Sequence, residues 1–262
     1  MTEWTGTGMN PDQTSSERRL RVGIVGPGRV GSALARALRE AGVDVDGPAG
    51  RGERPSRCDA LVLCVPDAEI AAAAETVTAA APLVGHTSGA TPLSALAHAG
   101  VPAFGLHPLQ SFAHPGVSFD GAGAAVAGST PAALAFATAL AERLGMRPFE
   151  IDDEGRAAYH AAASVASNFL VTLEAAAEAI AAGAGLGGDD ARALLMPLVR
   201  QTVENLAELG PEAALTGPIA RGDEATVEAQ RAAVAEAVPE LLDLFDELAR
   251  QTRALAGQRS PA

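Results

Sequence analysis

The chain has 262 residues, enough for one large domain or two modest ones, and a formal net charge of −13. That charge speaks against nucleic acid and anionic membranes as partners, and any anionic substrate needs locally clustered Arg. Hydrophobic residues reach 48% with only 3% aromatics, so the core is built from Ala, Val and Leu.

All 19 basic residues are Arg. Without lysine there is no Schiff-base chemistry, and proton transfer falls to His, Tyr, Asp, Glu, Ser or Cys. Cys58 and Cys64 sit in or beside one short apolar run and make no disulfide scaffold, which fits a reducing, cytoplasmic compartment. No early apolar run resembles a signal peptide, and no uninterrupted 18-residue apolar stretch spans a bilayer. No metal-ligand spacing is present.

Residues 1–18 are polar and aperiodic and read as a disordered tail that includes Trp4. Leu20 to Val25 alternates as a strand, and Val30, Leu34 and Leu38 then recur on one helix face. Between them lies Gly26-Pro27-Gly28-Arg29-Val30-Gly31, a G-x-G-x-x-G turn in its strand-before, helix-after setting. Gly26 makes the turn, Gly28 lets a pyrophosphate approach the backbone, and Gly31 lets helix and strand pack. The free N–H groups at the helix start face the phosphates, so residues 26–31 are expected to bind a dinucleotide.

Val43 to Asp46 gives a second strand. The position about 20 residues past the last glycine, which sorts ribose 2′-hydroxyl from 2′-phosphate, falls on Arg51. An Arg there favours NADP, while Asp46 and Glu53 nearby keep NAD possible, and Arg51 reads equally as a solvated loop charge.

Ala60 to Val65 is a continuous apolar run, as in a parallel strand covered on both faces. Val65 and Pro66 end it beside the expected cofactor, and a helix follows from Asp67 to about Ala80. Leu83 to Gly89 and Val101 to Gln110 are further strand tips, with Thr91-Pro92 opening a helix between them. Ala124 to Ala127 is a short strand, and Thr130-Pro131 starts a helix ending near Gly145. This alternation predicts an α/β fold: an N-terminal, doubly wound, Rossmann-like parallel sheet over residues 19–150. Functional groups then belong at the carboxyl ends of the strands, where Ser88 and His107 fall.

Beyond Asp152 the strand signals stop. A long Ala-rich helix over 154–183 is expected, then a second from Asp189 or Asp190 to about Leu209, kinked at Pro197. A turn-rich loop and two further helices, about 224–237 and 239–256, complete an all-α C-terminal domain over residues 151–262. On the long helix His160, Ser164 and Asn168 stand at i, i+4, i+8 and share one face. His160 either gives a proton to a carbonyl being reduced, with Ser164 and Asn168 orienting substrate oxygens, or makes a satisfied domain contact with the other two exposed.

His107 either shapes the nicotinamide side of the site or anchors its loop. Ser88 either hydrogen-bonds substrate or cofactor or holds its turn. His86 is as readily structural as functional, and His98 and His114 read as surface residues. Arg221, with Thr216 in the same loop, either clamps a substrate carboxylate or pairs with Asp223.

The segments GIVGPGRVGSAL, LCVPD, HTSGA, GLHPLQSF, YHAAASVASNFLVTL and LTGPIARGD, taken together, resemble bacterial two-domain oxidoreductases with a Rossmann-like domain and a helical C-terminal domain of unassigned function. Some of these look like alternative ketopantoate reductases, and the resemblance spans residues 19–257. It implies NADPH-dependent reduction of a small anionic 2-oxo acid, ketopantoate first, and a homodimer formed through the helical domain. Ordinary ketopantoate reductases, wider relatives in the 6-phosphogluconate dehydrogenase-like group, carry Lys-x-x-x-Asn-x-x-x-Asn where this chain has His160, Ser164 and Asn168. The Gly105-Leu106-His107-Pro108 run is similar to prephenate dehydrogenases, and pyrroline-5-carboxylate reductases are relatives too. A dehydrogenase or imine reductase of those kinds is therefore an alternative, as is a catalytically silent NADP-binding sensor.

Overall fold

The computed structural model describes residues 19–77, 80–114 and 116–258. The expected tail over residues 1–18 lies outside the described residues. Two compact units divide the chain, the first ending at Ser164 and the second beginning at Val165.

The first unit carries β1 (Arg21–Val25), α1 (Arg29–Glu40), β2 (Asp44–Ala49), β3 (Ala60–Leu63), α2 (Ile70–Val77), β4 (Val84–His86), β5 (Ala103–Leu109), β6 (Gly123–Gly128), α3 (Pro131–Arg143), β7 (Arg147–Glu150) and most of α4 (Arg156–Ala166). The seven strands form one sheet in the order β2-β1-β3-β4-β5-β6-β7. Sequence order reverses between β1 and β3, which makes the gap beyond their carboxyl ends the natural ligand crevice.

The buried residues of the central strands divide between two cores. Ala60 and Val62 join Val22, Ile24, Phe104 and Leu106 under α1 and α3. Leu61 and Leu63 join Val84 and Ala103 on the other face, under α2 and the 3-10 helix Leu93–Ala99. The sheet is thus covered on both faces, which is why β3 reads as an unbroken apolar run, all four residues buried. In α1, Gly31, Leu34, Ala35 and Leu38 are buried at helical spacing.

Three features depart from the sequence reading. First, β5 and β6 pair antiparallel, whereas every other neighbouring pair is parallel. Among the described residues no helix lies between them, so the chain turns back instead of crossing over. Second, β7 pairs with β6 although Arg147–Glu150 is mostly exposed and carries no apolar run. Third, the segment after Pro92 is a 3-10 helix begun by Pro92, with Thr91 outside it.

The long helix expected over 154–183 is two helices, α4 and α5 (Asn168–Ala182), because Ser167 leaves helical geometry at φ −123° and ψ −67°. In the chain, the division between the two compact units follows Ser164, close to this break. The stretch Arg156–Ala182, with a mean hydropathy of 1.3, is long and apolar enough to cross a membrane by length and composition alone, which the sequence reading did not anticipate. Its first turns bring Arg156, Tyr159 and His160 against polar groups of the sheet, an arrangement foreign to lipid.

The second unit continues with α6 (Gly188–Leu209), α7 (Pro211–Ala214), α8 (Pro218–Arg221), α9 (Glu224–Ala237) and α10 (Leu242–Ala256). Pro197 is accommodated inside α6. Arg192 of α6 forks onto Glu178 of α5 at 2.7 and 2.8 Å, and Arg231 of α9 onto Asp246 of α10 at 2.8 and 2.9 Å.

Candidate functional site

The crevice at the reversal of strand order is a cavity of about 700 Å³. Its walls are the loops that leave three adjacent strands: Val25 to Gly28 after β1, Ala49 to Glu53 after β2, and Cys64 to Pro66 after β3. Glu69, Ala72, Ala73 and Thr76 close one side. Of the residues expected to bind the cofactor, Gly26, Pro27, Gly28, Arg51, Val65 and Pro66 line it.

The glycines have separable reasons. Gly26 sits at φ +107°, and a Cβ there would lie 2.3 Å from the Cys64 carbonyl oxygen. At Gly31 a Cβ would meet the Gly26 carbonyl oxygen at 2.0 Å, so this glycine serves helix–strand packing. Gly28 has nothing within 4 Å of that position and opens onto the cavity. Gly28 is also the N-cap of α1 and offers no side chain to the first turn, which leaves the N–H groups of Arg29, Val30 and Gly31 for an acceptor from outside the helix. This uncapped helix start beside an open glycine fits a pyrophosphate.

The far rim carries mixed charge. Arg51 is 89% exposed and its Nη2 lies 3.1 Å from Glu69 Oε1. Glu53 accepts a hydrogen bond from the Gly50 N–H at 2.6 Å. A 2′-phosphate would draw Arg51 away from Glu69, whereas Glu53 suits ribose hydroxyls. Cys64 is inert here, its thiol pushed up to about 12 by burial despite a hydrogen bond with Thr87.

A second polar cluster forms at the carboxyl ends of β4 and β5. His86 and Gly105 are register partners, and His107 follows Gly105 by two, so all three face the α2 side of the sheet. From α4, Arg156, Tyr159 and His160 stand at i, i+3 and i+4 and meet them. The Tyr159 hydroxyl and His107 Nδ1 share a hydrogen bond of 2.6 Å. The His107 and His160 rings lie 6.1 Å apart, edge to face. Between them comes Gly89, where a Cβ would stand 2.9 Å from both His107 Nε2 and His160 Nδ1.

Burial disfavours charge on His86, His107 and Tyr159. Burial, then the His160 charge, lowers His107 to about 4. Burial, then Arg156, lowers His86 to about 4. Burial pushes the Tyr159 phenol up to about 12. Arg156 is itself only 3% exposed, its Nε 2.7 Å from Asp153 Oδ1. Arg156 Nη2 is buried and finds no hydrogen-bond partner among the described residues, whereas His86 Nδ1 accepts from Ser88 N at 3.2 Å.

The remaining expected residues are distributed otherwise. The Ser88 hydroxyl is held within its turn, accepting from Ala90 N and Thr91 N and meeting Thr91 Oγ1 at 2.9 Å. Ser164 shares α4 with His160, but Asn168 begins α5 beyond the break, so the expected three-residue stripe does not run along one helix. Thr216 and Arg221 belong to the second unit. There Asp223 spends its carboxylate on capping α9 through Thr226, at 3.1 and 2.7 Å. Sequence reasoning missed Tyr159 and Arg156, although their spacing with His160 was a readable helical signal.

Residues 123–252 match the family model of a domain of unknown function, DUF2520. No curated protein matches the chain. Among solved structures, a candidate NADP oxidoreductase from Bacteroides fragilis is 22% identical with a TM-score of 0.76, over 90% of this chain and 98% of that one. A Thermotoga maritima protein is 23% identical with a TM-score of 0.76, over 90% and 100%. The pyrroline carboxylate reductase of Plasmodium falciparum, solved with NADP bound, is 12% identical with a TM-score of 0.56, over 90% and 98%. These likenesses establish the fold.

Proposed function

We propose that the chain is an NADP-dependent oxidoreductase acting on a small carbonyl or imine. The observation that carries this reading is the uncapped start of α1 beside Gly28, opening onto a 700 Å³ crevice where strand order reverses. Residues 26–31 would hold the pyrophosphate, Val65 and Pro66 the adjoining wall, and Arg51 the 2′-phosphate. When bound, the nicotinamide supplies a hydride. This chain's own part is to orient the substrate and to place a proton, and the imidazoles of His107 and His160 are the groups for it.

Ketopantoate is the first substrate to test, on the sequence resemblance. A cyclic imine is the second reading, favoured by the likeness to the Plasmodium pyrroline carboxylate reductase. The roles of Ser88 and Ser164, and those of Asn168, Thr216 and Arg221 in the second unit, rest on sequence position. For Arg221 the expected result of Arg221→Ala is a raised KM for an anionic substrate with kcat little changed. We place the protein in the cytoplasm, in keeping with its free Cys58 and Cys64.

Titration of the purified protein with NADPH and NADH tests the cofactor assignment. Saturable binding with NADPH preferred supports it, and preference for NADH would shift the assignment from Arg51 to Glu53. Binding of neither would refute it. Binding without turnover on any carbonyl or imine would favour a nucleotide sensor.

A further inference from the structure

We propose that Tyr159 is a positioning residue that fixes the tautomer of His107, so that His107 presents Nε2–H, as a hydrogen-bond donor, to the corner at Gly89 where His160 Nδ1 also converges. The inference deepens the proposed function and rests on it only for the meaning of that corner, not for the tautomer itself.

A neutral imidazole carries one ring proton, and the partner of one nitrogen decides which nitrogen holds it. Here His107 Nδ1 meets the Tyr159 hydroxyl at 2.6 Å. A phenol has one proton to donate, and among the described residues the Tyr159 hydroxyl makes no other hydrogen bond. Of the two groups the phenol is the more acidic donor and the imidazole nitrogen the better acceptor, so the phenol donates to Nδ1. The ring proton then sits on Nε2, which faces the open corner at Gly89.

The surroundings hold this arrangement. Tyr159 lies edge-on between His107 at 5.5 Å and Phe149 of β7 at 5.7 Å, which leaves its ring little freedom. The groups acting electrostatically on His107 are His160 and Arg156 of α4, which disfavour a proton on it, and Asp67 beyond β3, which favours one. Burial outweighs them all and keeps the imidazole neutral at physiological pH.

The consequence is a division of labour between the two histidines. His107 is an uncharged donor toward an oxygen or nitrogen placed at the corner, and His160, exposed, brings its Nδ1 to the same corner from α4. Gly89 keeps the corner open, because any side chain there would press on both ring nitrogens.

Long-range proton–nitrogen NMR on the wild-type protein at neutral pH reads the tautomer directly and needs no substrate. The expected result is a protonated Nε2 and a bare Nδ1 for His107, with the two forms mixing in Tyr159→Phe. A protonated Nδ1 in the wild type would overturn the proposal, as would an unchanged Nε2–H form in Tyr159→Phe. In a turnover assay the same variant should lose about 10²-fold in kcat with little change in KM. Absence of turnover by the wild type on every carbonyl and imine would refute the enzyme reading and leave the tautomer result to stand or fall on the spectra.

Discussion

At the scale of single residues, the glycine turn makes two opposite predictions. Gly28→Ala meets open space, so stability should change by no more than about 0.5 kcal/mol while NADPH affinity falls about tenfold. Gly26→Ala places a methyl against backbone at positive φ, so the fold itself should lose about 1–3 kcal/mol. Urea denaturation beside a nucleotide titration separates the two. The buried histidines predict a pH effect. His86 titrates near 4 in the folded chain against 6.5 for a free imidazole, so the unfolded chain binds the extra proton. Stability is therefore full above about pH 6.5 and falls as pH drops toward 4, His86 alone costing on the order of 2 kcal/mol at pH 4.5. A urea midpoint constant from pH 7 to 4.5 would contradict this. The geometry of the glycine turn was legible in the sequence because its parts are contiguous. The His107–Tyr159 pair was not, because it joins residues 52 apart that only sheet register and α4 bring together.

At the scale of elements, the strongest local signals produced the elements expected of them. Thr130-Pro131 begins α3, with the Thr130 hydroxyl accepting from Ala133 N at 3.2 Å. Thr130→Ala should therefore cost about 1 kcal/mol in urea denaturation, with cofactor binding unaltered. What the sequence concealed follows from weak patterning. Arg147–Glu150 becomes a strand only because β6 offers it an edge, and no apolar run marks it. The β5–β6 turnback is invisible to periodicity, since direction depends on the absence of a helix in the connection. The break at Ser167 interrupts an Ala-rich stretch in which neither Gly nor Pro marks an end.

At the scale of the molecule, the two units differ in how they bury apolar surface. The sheet unit holds both continuous cores, whereas the second unit exposes Phe169 and Val171 on α5 and Leu194 and Leu198 on α6, the last three at 70%, 61% and 65%. So much exposed aliphatic surface is a liability in a monomer. We propose that a second copy of the chain covers it. Light scattering should give the mass of a dimer, and Leu194→Asp with Leu198→Asp should give monomers that retain NADPH binding. The central claim, that the crevice serves reduction of a small carbonyl or imine, is tested most directly by following NADPH oxidation with ketopantoate, other 2-oxo acids and cyclic imines. The account predicts turnover with at least one of them, faster with NADPH than with NADH and weakened in Gly28→Ala. NADPH that binds but is never oxidised across that panel would contradict it.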